Sequence, residues 1–226
     1  MKNRAATRYS GMVITDLDGT LLQSDRTISA FDLSTLKNLK KRQVLRVIAT
    51  GRNLYSSFSV LPPDFPIDML VFSTGAGILD WQKKEILISY SMNQSEIEIV
   101  FHFLYANGFD FMVQKAIPDN HFFYYFRQSG FNPDFDRRCE HYKSFAVSGD
   151  PVNFSMESAT QFIVIEPPAG KKGVYEKIRD SLPAMRVIRT TSPLDHSSLW
   201  IEIFPNYVSK SRAGIWLSKT FGIDRK

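Results

Sequence analysis

Three short apolar runs in the first part of the chain each end in small polar residues. Val13-Ile14-Thr15 leads into Asp16-Leu17-Asp18-Gly19-Thr20, Val44-Leu45-Arg46-Val47-Ile48-Ala49 into Thr50-Gly51-Arg52, and Met69-Leu70-Val71-Phe72 into Ser73-Thr74-Gly75-Ala76. Nearly continuous apolar runs of this length read as strands buried on both faces of a parallel sheet. Between the first two, Ser29 is an N-cap candidate, and Leu33, Leu36 and Leu39 recur beside Lys37, Lys40 and Lys41, which predicts a helix from Ala30 to Gln43. A shorter helix is expected from Leu54 to Leu61, stopped by Pro62-Pro63. Strand, helix, strand, helix, strand is the pattern of a parallel α/β sheet, whose ligands bind at the carboxyl ends of the strands.

The pattern changes after Ala76. Gly77 to Trp81 and Glu85 to Tyr90 read as a hairpin around Gln82-Lys83-Lys84. Asn93 and Glu96 have capping-box spacing, Ile97, Val100, Phe101 and Leu104 form a helical stripe, and Gly108 suits the C′ position. Strands follow at Phe109 to Gln114 and His121 to Phe126. The segment from Ser129 to Phe154 carries one expected helix, Phe135 to Lys143, and no other clear pattern. A strand at Gln161 to Ile165, a helix at Gly173 to Leu182 and strands at Arg186 to Arg189 and Trp200 to Phe204 complete a mixed α+β region. Pro205 to Ser209 is the expected return, and Lys210 to Phe221 a last helix with Ile215, Trp216 and Leu217 on its apolar side. The expected organisation is a first domain built from residues 1–80 and 205–226, with a second domain, 81–204, inserted into it.

A chain of 226 residues, 43% hydrophobic and 23% charged, can bury a sizeable core. The net charge of +5 suits an anionic small molecule, but the basic residues are scattered without interleaved aromatics, so no nucleic-acid partner is expected. The aromatic run Phe122 to Phe126 is read as core and rim of the inserted domain. One cysteine, Cys139, excludes an intrachain disulfide, and the four histidines have no zinc-ligand spacing. Lys2, Arg4 and Arg8 precede an apolar run too short for a signal peptide or a membrane span, so a cytoplasmic protein without a membrane partner is expected.

Asp16 and Asp18 lie two positions apart at a strand end, so their side chains leave the backbone on one side. Two adjacent acids are costly without a positive partner, of which a Mg²⁺ ion with oxygen ligands is the simplest. A calcium loop fails on spacing, because Leu21 and Thr27 stand where its glycine and closing glutamate belong. An ordinary strand ending in an Asp-Gly turn is the alternative without chemistry.

Four stretches in order resemble one family. Asp16 to Thr20 resembles the nucleophile motif of the haloacid dehalogenase-like hydrolases. Ile48-Ala49-Thr50-Gly51-Arg52 resembles their second motif, Val208-Ser209-Lys210 their lysine motif, and Ser73-Thr74-Gly75-Ala76 a stretch that usually reads Ser-Asn-Gly-Ala. The nearest subgroup is the Cof-type sugar-phosphate phosphatases. Thr50 follows Asp16 by 34 positions and Lys210 follows Thr50 by 160, and the long interval matches the subgroup's cap insertion. The resemblance implies a parallel Rossmann-like core with an inserted α+β cap between the second and third motifs.

It also implies roles. Asp16 is the expected nucleophile and Asp18 the general acid and base. Thr50 and Lys210 contact the transferring phosphoryl group, Leu17, Gly19, Thr20, Gly51 and Arg52 contribute to phosphate or substrate binding, and Asp16 with Asp18 holds Mg²⁺. Within that pair, Mg²⁺ and Lys210 are expected to keep Asp16 ionised, and the neighbouring charge to favour a protonated Asp18. The expected activity is hydrolysis of a small phosphorylated metabolite through an aspartyl-phosphate. The alternatives are a phosphomutase of the same superfamily and a non-catalytic domain that binds phosphorylated ligands. Thr74 and Ser211 depart from the family pattern. The family's last acidic motif, Gly-Asp-x-x-Asn-Asp, would follow Lys226, so the resemblance implies a truncated product, a Mg²⁺ ion with fewer protein ligands, or lost activity.

Overall fold

The computed structural model describes residues 9–166 and 173–224. The basic positions Lys2, Arg4 and Arg8 lie outside the described residues. In chain order the elements are β1 (Gly11–Thr15), α1 (Ala30–Lys41), β2 (Val44–Ala49), α2 (Leu54–Phe58), β3 (Met69–Phe72), β4 (Gly77–Asp80) and β5 (Glu85–Ser89). Next come β6 (Met92–Asn93), α3 (Gln94–Ala106), β7 (Phe111–Lys115), β8 (Phe123–Phe126), α4 (Pro133–His141) and β9 (Ala146–Ser148). The chain continues through β10 (Ser158–Glu166), α5 (Val174–Ser181), β11 (Met185–Thr191), β12 (Leu199–Pro205) and α6 (Lys210–Thr220). Two compact units result, one running to Ser89 and resuming at Val208, the other spanning Tyr90–Tyr207.

The first unit is an α/β sheet of order β1-β2-β3-β4-β5. β1, β2 and β3 are parallel, as their apolar runs require, and β4 and β5 continue antiparallel. Leu45, Val47, Ala49, Met69, Val71 and Ile78 pack with Ala213 and Leu217 of α6. Arg46 interrupts the apolar run of β2 and is nonetheless buried. Its Nε and Nη2 donate to Asp68 at 2.9 and 2.6 Å, and its Nη1 donates to the Pro66 carbonyl at 2.7 Å. A buried guanidinium is tolerable when its donors are satisfied in this way. Ser29 caps α1, accepting from the Asp32 N–H at 3.0 Å.

The second unit is a seven-stranded sheet of order β11-β12-β10-β7-β8-β9, with β6 paired to β10. Alternation along the strands loads both faces. Phe111, Val113, Phe126, Phe162, Val164, Ile201 and Ile203 pack with Val100, Phe101 and Leu104 of α3 and Ile178 of α5. On the opposite face Phe135 of α4 packs with Met112, Phe123, Ile163, Ile165 and Trp200. Phe123 and Phe126 are therefore core, whereas Tyr124 and Tyr125 are half-buried. The capping box of α3 forms in both directions: the Glu96 N–H donates to Asn93 at 3.0 Å, and the Asn93 N–H donates to Glu96 at 2.9 Å.

Four expectations are corrected. β1 is not buried on both faces: among the described residues it pairs only with β2, and Val13 and Ile14 remain 39% and 42% exposed. The hairpin β4-β5 joins the first sheet, because β4 pairs with β3 through Met69↔Asp80 to Phe72↔Gly77, so the second unit starts at Tyr90. The stretch from Ser129 to Phe154 holds a strand, β9, beside helix α4. β9 is three residues long and pairs in parallel with β8, too short to show a period. The buried face of α6 is Ala213, Gly214, Leu217 and Ser218, one step round from the apolar side expected. No helix among the described residues is long and apolar enough to cross a membrane.

Candidate active site

The loop after β1 is wound around one carbonyl. Leu17 is fully buried, and its carbonyl accepts from the N–H groups of Thr20, Leu21 and Leu22 at 3.3, 3.0 and 2.8 Å. Gly19 has φ +70°, the left-handed conformation a side chain disfavours, and donates to the Leu22 carbonyl at 2.9 Å. The Leu17 N–H donates to Oδ1 of Asp16 at 2.7 Å. The backbone amides of Leu17, Gly19 and Thr20, expected to face phosphate, are thus engaged inside their own loop. What the winding does is fix the departure points of Asp16 and Asp18.

Asp16 meets Lys210. The ammonium Nζ lies 3.0 Å from Oδ1, across 194 positions of sequence, with the two side chains 48% and 37% exposed. Lys210 is the first residue of α6, whose N-cap Ser209 accepts from the Arg212 N–H at 3.1 Å. A lysine here runs against the helix dipole, which favours acids at this end. Its contact with Asp16 supplies the compensating charge. Both donors to Asp16 use Oδ1, so neither engages Oδ2.

Asp18 meets Arg52. The guanidinium Nε lies 3.0 and 2.9 Å from Oδ1 and Oδ2, and Nη2 lies 2.7 Å from Oδ1. The other arm, Nη1, donates to the Ser56 hydroxyl at 3.0 Å, in the short helix α2 capped by Asn53. The sequence placed Arg52 at the site but did not identify Ser56 as its anchor. Asp18 is therefore held against Arg52 in this structure. With Asp18 50% and Arg52 26% exposed, the pair adds no more than about 1 kcal/mol to stability.

Thr50 is fully buried at the end of β2. Its N–H donates to the Val71 carbonyl at 2.9 Å, its carbonyl accepts from the Thr74 N–H at 3.0 Å, and its Oγ1 accepts from the Arg52 N–H at 3.1 Å. Gly51 stands beside Thr74, and a Cβ on it would lie 3.7 Å from Thr74 Oγ1. Thr74 has φ +59°, so the departure from asparagine places a β-branched residue in a conformation asparagine adopts more readily. The next residue, Gly75, touches the loop that carries Lys210. Contacts thus join Lys210 to Asp16, Asp18 to Arg52, Arg52 to Thr50 and Thr50 to Thr74, and the Gly75 backbone lies against Ser209. The candidate residues stand on one ring of loops at the carboxyl ends of β1, β2 and β3.

Other chemistry is weaker. Cys139 is no nucleophile at neutral pH, because burial pushes its thiol up to about 11. Among the described residues no group of three or more His, Cys, Asp and Glu side chains gathers so as to hold a metal ion. A surface cavity of about 410 Å³ is lined by Lys37, Lys40, Lys41, Arg46, Asp64, Pro66 and Gln82, none of them from the acidic loop. The two candidate metal ligands, Asp16 and Asp18, offer carboxylate oxygens, the donor type Mg²⁺ takes: that ion binds one or two carboxylates, substrate phosphate and several waters.

Known proteins share this fold. A family model described as haloacid dehalogenase-like hydrolase matches residues 13–226. No curated protein matches the sequence. Among solved structures, a phosphatase of the haloalkanoate (HAD) superfamily from Bacteroides thetaiotaomicron superposes with a TM-score of 0.74 at 15% identity, over 99% of this chain and 77% of its own. A protein from Thermotoga maritima gives 0.71 at 19% identity, over 95% and 76%. A sugar phosphatase of HAD subclass IIB gives 0.67 at 16% identity, over 95% and 76%. At such identities the likeness establishes the fold.

Proposed function

The chain belongs to the haloacid dehalogenase-like hydrolases, and on that premise we propose that it is a Mg²⁺-dependent phosphatase of small phosphorylated metabolites. The observation that carries this reading is the contact between Lys210 Nζ and Asp16 Oδ1 at 3.0 Å. It brings a cation from the last helix onto a carboxylate at the end of the first strand. A carboxylate on an exposed loop, with a cation fixed beside it, is equipped to attack phosphorus while the added negative charge is balanced.

Asp16 attacks in line, forming a bond from its carboxylate oxygen to phosphorus as the bond to the leaving oxygen breaks. Asp18, released from Arg52 and protonated from solvent, gives that proton to the leaving oxygen, and the alcohol departs. In the second step Asp18 takes a proton from water, the water oxygen attacks phosphorus, and inorganic phosphate leaves with Asp16 restored. Thr50 donates its hydroxyl to a phosphoryl oxygen, and Lys210 offsets charge on the transferring group. Mg²⁺, when bound at Asp16 and Asp18, would supply further charge neutralisation. The second unit is assigned as a cap that excludes water and selects substrate. Sugar phosphates are the favoured substrate class, in keeping with the subclass IIB sugar phosphatase among the structural neighbours.

The test is phosphate release from p-nitrophenyl phosphate and a panel of sugar phosphates with Mg²⁺, by wild type and Asp16→Asn. Turnover by wild type and its loss in the variant supports the reading. Wild type and variant equally inert at saturating Mg²⁺ sinks it, and phosphate binding without turnover would then mark a ligand-binding domain.

A further inference from the structure

The pair between Asp18 and Arg52 sets a problem that the phosphatase reading does not solve by itself. A carboxylate gripped by a guanidinium fork cannot also reach a leaving oxygen. We propose that Arg52 is a positioning residue that changes partners: it holds Asp18 while no phosphate is bound, then passes to the phosphoryl oxygens and sets Asp18 free. This inference rests on the phosphatase reading and names how its acid is made available.

Three features support the exchange. The guanidinium is tethered at one end only, through Nη1 to the Ser56 hydroxyl at 3.0 Å and the Ser56 carbonyl at 3.4 Å, while Nε and Nη2 face Asp18. The tether lets the other two nitrogens change acceptor without losing the arginine's place. The Arg52 N–H donates to Thr50 Oγ1 at 3.1 Å, so the side chain starts beside the hydroxyl assigned to phosphate. Finally, Asp18 is the more exposed partner, and an exposed carboxylate leaves its pair cheaply because water replaces the lost contacts. A phosphate group offers more acceptor oxygens and more charge than a carboxylate, and the guanidinium fork fits it. Lys210 cannot take this part: its ammonium is committed to Asp16 and has no fork.

Exchange makes a thermodynamic demand, since Asp18 competes with phosphate for Arg52. Inorganic phosphate binding, measured by titration calorimetry with Mg²⁺ on the full chain, reads that competition in wild type, Asp18→Asn, Arg52→Ala and the double variant. Asp18→Asn is expected to tighten phosphate about two- to fivefold, the factor held in an exposed ion pair. Arg52→Ala is expected to weaken it about tenfold or more. In the double variant the gain from Asp18→Asn disappears. A gain of equal size with and without Arg52 would be a general charge effect and would overturn the exchange, as would no gain at all. Should Arg52→Ala fail to fold, Arg52→Lys keeps the charge without the fork and must shrink the gain. Turnover of p-nitrophenyl phosphate by wild type and not by Asp16→Asn upholds the phosphatase reading independently, so a null result in the cycle then removes only the exchange. A wild type that neither binds phosphate nor turns over removes both.

Discussion

Gly75 and Ser209 approach backbone to backbone: a Cβ at Gly75 would lie 2.4 Å from the Ser209 carbonyl oxygen and 2.5 Å from its carbonyl carbon. Gly75 also has φ +102°. Position 75 therefore excludes any side chain twice over, and the loop after β3 seats the start of α6 where Lys210 reaches Asp16.

Gly75→Ala is expected to cost about 3 kcal/mol, from left-handed strain and from backbone displacement. Gly108 is the comparison: it has φ +70° with nothing within 4 Å of its Cβ position. Gly108→Ala should cost only about 1 kcal/mol. Urea unfolding of the two variants checks the difference, and equal losses would remove the packing part of the argument.

Lys210→Met separates chemistry from stability. The ion pair with Asp16 is over a third exposed on both sides, so unfolding free energy should fall by less than about 1 kcal/mol. Turnover should fall about 10²–10³-fold, as when a group that stabilises transition-state charge is removed. A variant that unfolds early but turns over normally when folded would make the lysine structural.

Thr74 carries strain that its family counterpart avoids. With φ +59° a β-branched residue is disfavoured, whereas asparagine tolerates the left-handed region. Thr74→Asn should raise stability by about 0.5–1 kcal/mol, read as a higher urea midpoint at unchanged slope. A lower midpoint would show that contacts of the threonine outweigh its backbone strain.

In the second unit Asp110 is buried beneath Arg127, Ser129, Asn132 and the N–H of Gln128. Burial pushes its carboxyl up, but the hydrogen bonds from Ser129, Gln128 and Asn132 outweigh it and hold the carboxyl below its ordinary 3.8. The folded state thus prefers the ionised form. That stability is fully present above pH 3.8 and is lost as pH falls through the lowered value. Asp110→Asn should cost about 3 kcal/mol at neutral pH and flatten the acid limb of a stability-pH curve, which urea midpoints across the acid range measure.

Much of this was legible because local chemistry declared it. Ser29 and Asn93 announced their helices, and the apolar runs announced β2 and β3. Helix α4 begins at Pro133, two residues before the Phe135 start expected, because Asn132 caps it and Pro133 suits its first turn. What stayed hidden depended on neighbours. The run Val13-Ile14 looks buried in sequence, and only pairing shows that β1 lies at a sheet edge. Motif order brought Asp16 and Lys210 into one argument. No local pattern could show that Arg52 grips Asp18 or that Ser56 anchors it, since these contacts depend on where the loop after β2 turns.

The central claim is that Asp16 accepts phosphate covalently. Wild type and Asp16→Asn, mixed with ³²P-labelled p-nitrophenyl phosphate and Mg²⁺ and quenched in acid within a turnover, test it most directly. The account predicts protein-bound label on wild type, removable by hydroxylamine as an acyl phosphate is, and none on the variant. Phosphate release by wild type without such label, or label that survives in Asp16→Asn, would contradict it.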